Sequence, residues 1–219
     1  MLTKGYFTAP ALLKPERHLP SSVAIIGAGT IGPDIGYYLK SAVPDLKLVL
    51  LDINEKALEK AVERIMANVQ KGIDHKKISA ELADKVKDNI LTTTDYQTMA
   101  DCDWVLEAAT ENLDLKKEIF SRVEAIVRKN ALITFNTSSL PAERLFSHLQ
   151  NPQRTTVTHF FAPAFRNPAV EVIAWEQVDS VIVDYLRWLF YVTGKVPLVT
   201  ADAVYLIIGA TKRHCYLIR

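Results

Sequence analysis

The stretch VAIIGAGTIG, at residues 23–32, decides the fold of this chain. Its first half, Val23 to Gly27, is an unbroken apolar run that ends in glycine, which predicts a strand buried on both faces. The glycines are then spaced as GxGxxG, and residues 30–41 carry the pattern of a helix. A strand, a tight glycine turn and a helix in this order open a βαβ unit of a parallel sheet.

The three glycines of this turn have distinct physical uses. Gly27 permits the tight turn, Gly29 lets the backbone approach a pyrophosphate, and Gly32 lets the helix pack against the strand. The N–H groups at the start of the helix, around Thr30 and Ile31, can hold the phosphates. The pattern predicts a dinucleotide site, and a glycine turn without a ligand is the alternative.

Asp52 lies twenty residues beyond Gly32, at the end of a second apolar run, Leu46–Leu51. A carboxylate at this position can accept hydrogen bonds from the ribose hydroxyls of an adenosine, and it repels a 2′-phosphate. Asp52 therefore predicts that the cofactor is NAD and not NADP.

Strands and helices alternate along the rest of the chain. The further predicted strands are Asn89–Leu91, Asp103–Leu106, Ala131–Phe135, Arg154–Phe160, Val170–Ala174 and Lys195–Thr200, with helices over 112–128 and 178–192. This alternation predicts an α/β fold, a Rossmann-type doubly wound parallel sheet over residues 22–200 that follows an irregular N-terminal arm at 1–21. An additional lysine-rich helical hairpin, 55–71 and 79–87, is inserted after the second strand, and Gly72 is expected to end its first helix.

Composition narrows the classes of partner. The chain has 219 residues, a net charge of +1, and 49% hydrophobic and 23% charged residues, which is typical of a soluble globular protein. This balance gives no reason to expect nucleic acid or an anionic membrane as a partner, and no apolar run is long enough to span a membrane. Cys102 and Cys215 form no CxxC pair, so we expect a reduced, cytoplasmic protein without a bound metal.

Three further stretches resemble one enzyme family. They are EAATENLDLKKEIF at 107–120, NTSSLP at 136–141, and HFFAP at 159–163 followed by VEVI at 170–173. Together with the glycine turn, they are similar in order and spacing to the L-3-hydroxyacyl-CoA dehydrogenase family. The resemblance implies an NAD-binding Rossmann domain and the NAD-dependent oxidation of L-3-hydroxyacyl-CoA to 3-ketoacyl-CoA, as in fatty-acid β-oxidation.

The same resemblance implies roles for individual residues. It makes His159 the catalytic base, and an imidazole titrates in the range needed to take the alcohol proton at neutral pH. Glu171 orients the imidazole and stabilises its cation, and Ser138 hydrogen-bonds the reacting oxygen. The resemblance also implies ligand contacts for Glu111 and Lys116 at the cofactor cleft and for Lys71 at the CoA portion of the substrate. Asn136 is assigned to the cofactor cleft because it lies at the carboxyl end of a strand, where open α/β sheets bind ligands.

Most of these residues also have an ordinary structural explanation. His159 starts an aromatic run and fits a satisfied core histidine. Ser138 fits a helix cap, Glu111 fits the first turn of a helix, and Lys116 and the lysine-rich hairpin fit a solvated surface. Glu171 is harder to explain in this way, because a buried carboxylate in an apolar strand needs a partner.

Two departures from the family pattern bear on activity. Ala162 stands where the family has an asparagine, and alanine offers no amide hydrogen bonds. After Thr200, the family's D-x-P-G-F-x-x-N-R segment is replaced by a divergent stretch, 201–219, where a C-terminal helical dimerisation domain would begin. We therefore expect a homo-oligomer, such as a dimer, or a partner chain that supplies this domain.

Two other functions compete with the dehydrogenase. The chain could instead be a non-catalytic NAD-binding relative, because Ala162 and the divergent stretch favour lost or partner-dependent activity. A Rossmann dehydrogenase that acts on a hydroxy acid is disfavoured by the helical hairpin and by the Glu-Asn-x-x-x-Lys segment at 111–116.

Overall fold

A computed structural model of the chain describes residues 8–109 and 111–202, which form an eight-stranded sheet flanked by helices. The strands are β1 (Ser22–Ile26), β2 (Lys47–Leu51), β3 (Ile90–Thr93), β4 (Trp104–Glu107), β5 (Leu132–Phe135), β6 (Thr155–Phe160), β7 (Ala169–Ala174) and β8 (Val196–Ala201). The helices are α1 (Gly32–Ala42), α2 (Glu55–Asp74), α3 (Ala80–Lys87), α4 (Leu113–Ile126), α5 (Ala142–Phe146) and α6 (Ser180–Val192). The α/β class predicted from the sequence is confirmed. Cys215, residues 1–7 of the arm and residues 203–219 of the divergent stretch lie outside the described residues.

Six strands form the doubly wound part of the sheet. They run parallel in the order β3-β2-β1-β4-β5-β6. Every residue of β1, β4, β5 and β6 is buried, which explains why β1, β4 and β5 are mainly apolar and do not alternate. β6 is also buried on both faces, but it consists largely of threonine. In such a sheet, ligands bind outside the carboxyl ends of the strands, where the strand order reverses between β1 and β4.

The last two strands correct the expectation of an all-parallel sheet. β7 pairs antiparallel with β6, and β8 pairs parallel with β7, so both run against the other six. The physical reason is the length of the connection. Residues 161–168 join β6 to β7 without a helix, whereas a parallel pair needs a crossover of about a dozen residues or more.

The helical hairpin lies between β2 and β3 as predicted, but its first helix does not end at Gly72. Helix α2 continues to Asp74, and His75 is its C-cap. A Cβ at position 72 would lie 3.0 Å from side-chain carbons of Ile78 and 3.3 Å from the hydroxyl of Tyr37. Gly72 therefore provides close packing inside the helix and does not terminate it.

Local capping explains where the hairpin helices begin. The side chain of Asn54 accepts hydrogen bonds from the backbone of Lys56 and Ala57, and Ser79 caps α3 in the same way through Leu82. Helix α5 was not predicted, because five residues are too few to show a period. Within the described ranges, no helix is long and apolar enough to cross a membrane.

Candidate active site

The glycine turn between β1 and α1 has the geometry of a phosphate-binding loop. Gly27 has a φ of +108°, and a Cβ there would lie 2.8 Å from the backbone of Ala108 and Ala109. A Cβ on Gly32 would lie 2.0 Å from the carbonyl oxygen of Gly27. Both positions therefore require glycine for the turn itself.

Gly29 differs from the other two glycines, because no atom lies within 4 Å of the position its Cβ would take. The space beside Gly29 is open to an approaching group. Of the next two residues, Thr30 is exposed and Ile31 is half-buried. No side chain caps the start of α1. Apart from Pro33, which has no N–H, the first backbone groups of α1 can donate to an anion, so this turn fits the pyrophosphate of a dinucleotide.

Asp52 ties the end of β2 to the glycine turn. Its Oδ2 accepts a hydrogen bond from the backbone N–H of Ala28 at 2.8 Å, and its Oδ1 accepts one from Asn54 at 3.0 Å. Each carboxylate oxygen keeps a second lone pair, which can accept a hydrogen bond from a ribose hydroxyl. Asp52 also lines a mainly apolar cavity of about 340 Å³ with room for a base.

Lys116, which was expected at the cofactor cleft, forms a buried ion pair with Glu107. The side chains of Lys116 and Glu107 are both fully buried, and Nζ lies 2.5 Å from Oε2 of Glu107. Burial lowers the pKa of Lys116 and raises that of Glu107. Oε1 of Glu107 accepts a hydrogen bond from Ala109, beside the glycine turn. Any effect of Lys116 on a dinucleotide therefore passes through Glu107 and the loop that it holds.

Glu111 connects the loop after β4 to the loop after β5. Both of its carboxylate oxygens accept a hydrogen bond from the hydroxyl of Thr137, at 3.1 and 2.9 Å. The same Thr137 oxygen accepts hydrogen bonds from the N–H groups of Ser139 and Leu140. Glu111 precedes the cap of α4, so it is not the first-turn acid of a helix; Asp114 occupies that place.

Asn136 and Ser138 both lie at the carboxyl end of β5. The amide oxygen of Asn136 accepts a hydrogen bond at 2.7 Å from the N–H of Phe160, which neighbours His159. Ser138 is exposed, and its hydroxyl forms no hydrogen bond within the part of the chain that the structure describes. Ser138 does not cap α5, because the carboxylate of Asp202 accepts from both Ala142 and Glu143 at 2.9 Å.

His159 and Glu171 lie opposite each other on β6 and β7. Nδ1 of the imidazole lies 2.8 Å from Oε2 of the carboxylate, and both side chains are buried. A carboxylate beside Nδ1 favours the tautomer with its proton on Nδ1, which leaves Nε2 as an acceptor. The ring of Phe161 packs 4.3 Å from the imidazole, centre to centre. Chemically, this is an oriented base, and the site can take a proton from a hydroxyl group.

A sequence model described as "3-hydroxyacyl-CoA dehydrogenase, NAD binding domain" matches residues 22–203. The chain belongs to the 3-hydroxyacyl-CoA dehydrogenase family. The matched region is the NAD-binding domain of this family, so NAD is the cofactor of the glycine turn.

Two curated relatives and one solved structure place the chain within the family. It is 30% identical over 195 residues to the 3-hydroxyadipyl-CoA dehydrogenase of Escherichia coli (strain K12), covering 89% of this chain and 41% of that protein. It is 32% identical over 167 residues to the glyoxysomal fatty acid beta-oxidation multifunctional protein MFP-a of Brassica napus, covering 76% and 23%. The crystal structure of (S)-3-hydroxybutyryl-CoA dehydrogenase from Ralstonia eutropha is similar with a TM-score of 0.80 and 30% identity, covering 86% of this chain and 66% of that one. The chain thus spans less than half of the length of either curated relative.

A second, larger cavity of about 790 Å³ lies between α1, α2 and the loop that follows β6. Lys71, which the family resemblance connects with CoA, is exposed on α2 and lines this cavity. Aromatic side chains form part of its wall, and five basic side chains line it, namely Arg64, Lys71, His75, Lys77 and Arg166. No aspartate or glutamate among the described residues lines it.

Sequence reasoning missed three residues of this family domain that shape the site. Glu107 and Thr137 stand inside the quoted motifs, at their first and second positions, but neither was given a role. Asp202 carries no local signal, since it caps a helix sixty residues earlier in the chain. These side chains hold loops in place, and such roles depend on contacts between distant parts of the chain.

Proposed function

We propose that this chain oxidises an L-3-hydroxyacyl-CoA to the 3-ketoacyl-CoA, with NAD as the cofactor. The observation that carries the proposal is the buried pair formed by His159 and Glu171. A buried carboxylate is costly without a partner. The carboxylate of Glu171 faces Nδ1 of His159, and a hydrogen bond at this nitrogen fixes the orientation of the imidazole. An acid–base pair of this kind beside a dinucleotide fold suits the oxidation of a secondary alcohol.

The reaction removes a hydride from carbon and a proton from oxygen. Bound NAD⁺ supplies the acceptor for the hydride. Nε2 of His159 takes the hydroxyl proton, and Glu171 stabilises the imidazolium that results. The exposed hydroxyl of Ser138 hydrogen-bonds the reacting oxygen, and Asn136 holds the backbone next to His159 in place.

The substrate class rests on the larger cavity. Coenzyme A carries phosphate groups on a long flexible arm, and the cavity combines aromatic walls with basic side chains. The cavity also reaches Pro163 and Phe165, in the loop that follows the strand of His159. An acyl-CoA can therefore place its phosphates near Lys71 and its acyl group toward the imidazole.

A non-catalytic NAD-binding protein is the second candidate, and Ala162 and the exposed Ser138 favour it. An active site of this kind works best when water is excluded, and Ser138 stands open to solvent among the described residues. We therefore expect the 219-residue chain to turn over slowly by itself.

The deciding experiment follows the loss of NADH absorbance with acetoacetyl-CoA and the purified 219-residue chain. Turnover that vanishes in the His159→Ala chain supports the dehydrogenase. NADH binding without any turnover, even at high enzyme concentration, supports the non-catalytic alternative.

We also propose a cytoplasmic location and an oligomeric state, most simply a dimer. Among the described residues Cys102 is a free, buried thiol, as suits a reducing compartment. Exposed apolar side chains at the end of α6 and the start of β8, Tyr191, Val192 and Val196, support contact with a second copy.

A further inference from the structure

The larger cavity contains an arginine whose direction is fixed by a buried carboxylate. Nε of Arg64, on α2, donates a hydrogen bond to Oδ1 of Asp34 at 2.9 Å. The side chain of Asp34 is 1% exposed, whereas that of Arg64 is 42% exposed. The pair thus has one end buried within the fold and the other end at the cavity.

Arg64 contacts Asp34 through Nε alone, so its two terminal nitrogens are left unpaired among the described residues. Among the described residues, neither Nη1 nor Nη2 forms a hydrogen bond, because Asp34 engages only Nε. A guanidinium held by Nε presents its other N–H groups as a planar fork. Such a fork matches the oxygens of a phosphate with two parallel hydrogen bonds.

A second donor lies one helical turn further along α2. Nδ2 of Asn68 is buried and has no hydrogen-bond partner among the described residues, and Asn68 also lines the cavity. Positions 64, 68 and 71 fall on one face of a helix, since residues three and four apart are neighbours. A guanidinium, an unpaired amide donor and the ammonium of Lys71 therefore line the same wall.

We propose that Arg64, held in position by Asp34, binds a phosphate group of coenzyme A, with Asn68 as a second donor. This inference rests on the proposed acyl-CoA substrate and extends it to a residue that sets specificity. Asp34 acts as a positioning residue: it touches no ligand, and it aims the guanidinium. Its burial in the first turn of α1 fixes its carboxylate and therefore fixes Arg64.

The test measures the affinities of the 219-residue chain for CoA, 3′-dephospho-CoA and pantetheine by isothermal titration calorimetry. We expect Arg64→Gln to weaken CoA binding about tenfold, as the loss of a charge-assisted hydrogen bond implies. Pantetheine, which has no phosphate, should bind both chains equally. If 3′-dephospho-CoA is insensitive to the substitution, Arg64 binds the 3′-phosphate; if it loses affinity as CoA does, Arg64 binds the diphosphate.

Lys60→Gln is the matched control, because Lys60 is an exposed cation on the same helix that does not line the cavity. It removes the same charge and should leave CoA binding within twofold, roughly the effect of a distant surface charge. NADH binding should be unchanged in every variant, which shows that the domain is folded.

The role of Asp34 has its own discriminating outcome. If only charge mattered, removing the carboxylate of Asp34 should tighten CoA binding, because one negative charge near the phosphates is lost. If Asp34 aims Arg64, Asp34→Ala should instead weaken it, and Asp34→Asn, which can still accept from Nε, should restore most of the affinity. CoA binding that ignores Arg64→Gln overturns this proposal alone. An unmodified chain that binds NADH but neither CoA nor pantetheine overturns the acyl-CoA substrate as well.

Discussion

Nδ1 of His159 lies 2.8 Å from Oε2 of Glu171, and the two residues occupy directly opposed positions on antiparallel strands. The pairing depends on the reversal of β7, because opposed residues on adjacent strands project to the same face of the sheet. Oε1 of Glu171 is buried and has no hydrogen-bond partner among the described residues, so the imidazole is the main partner of this carboxylate.

This pair predicts that base and orienting acid can be separated by mutation. His159→Ala should lower kcat by roughly 10²–10⁴-fold, the usual contribution of a general base. Glu171→Gln should also lower kcat, because an amide neither stabilises the imidazolium nor fixes the proton on Nδ1. NADH affinity, measured by fluorescence, should persist in both. A His159→Ala chain with ordinary turnover of acetoacetyl-CoA would eliminate the mechanism.

The carboxylate of Asp52 accepts hydrogen bonds from the backbone of Ala28 and Asn54, so its charge lies beside the glycine turn. We predict that the unmodified chain prefers NADH to NADPH, and that Asp52→Ala reduces the preference at least roughly tenfold, because opposing like charges costs several kcal/mol. Asp52→Asn is the control, since it removes the charge but keeps an oxygen for the Ala28 N–H. Fluorescence titrations with both cofactors measure the ratio. Equal affinity of the unmodified chain for both would refute the assignment.

Local patterns in the sequence were sufficient for much of this fold. The buried strand ending at Gly27, the acid at Asp52 and the cap at Asn54 are each determined by residues within one turn or strand. The direction of β7 was also within reach, because only eight residues separate it from β6 and so few cannot return a parallel strand.

The remaining features depend on contacts between distant residues. Lys116 was expected at the cofactor cleft from the family resemblance, and a solvated lysine was the alternative. Its burial becomes intelligible only when β4 brings Glu107 beneath it. Similarly, Gly72 resembles a helix stop until Tyr37 of α1 is placed against it.

The buried pair of Lys116 and Glu107 predicts a large asymmetry in stability. Lys116→Met should lower the free energy of unfolding by about 3–5 kcal/mol, because it leaves a buried carboxylate without its cation. The double variant Lys116→Met with Glu107→Gln should recover most of that loss. In the single variant the penalty should grow from pH 5 to pH 8, since burial raises the pKa of Glu107 and the folded state then holds the proton longer. Urea unfolding at each pH measures all of these, and an unchanged midpoint in Lys116→Met would contradict the argument.

The end of the sheet at β8 predicts self-association. Among the described residues β8 has no partner on its outer side, and Val196 is 53% exposed there. Unpaired edge strands with apolar side chains pair readily with one another, and a lysine blocks such pairing. We expect the 219-residue chain to form dimers or larger species by light scattering, and Val196→Lys to shift it toward monomer. Val181→Lys, at an exposed apolar residue on α6 and not on an edge strand, is the control and should not. A monomeric unmodified chain would contradict this prediction.

Lys195 gives a prediction about pH. It is buried at the start of β8, and its ammonium donates hydrogen bonds to the carbonyl oxygens of Ala164 and Asn167, in the connection between His159 and Glu171. Burial lowers its pKa from 10.5 to about 8. Between pH 8 and pH 10.5, Lys195 is protonated in the unfolded chain and deprotonated in the folded chain. The free energy of unfolding must therefore rise with pH over this range. The full rise is up to about 3 kcal/mol, from the size of the shift.

The rise attributable to Lys195 can be isolated by comparison with Lys195→Met, because other groups titrate over the same range and are common to both chains. Urea unfolding from pH 7 to pH 10 should show the unmodified chain gaining stability relative to the variant, with most of the gain above pH 8. Lys195→Arg is the useful second variant, since arginine keeps its charge throughout this range and should also lack the relative gain. Parallel curves of unfolding free energy against pH for the unmodified chain and Lys195→Met would contradict this prediction. They would mean that the ammonium is as well solvated in the folded protein as in the unfolded one, and that Lys195 does not hold residues 161–168 in place as a buried charge.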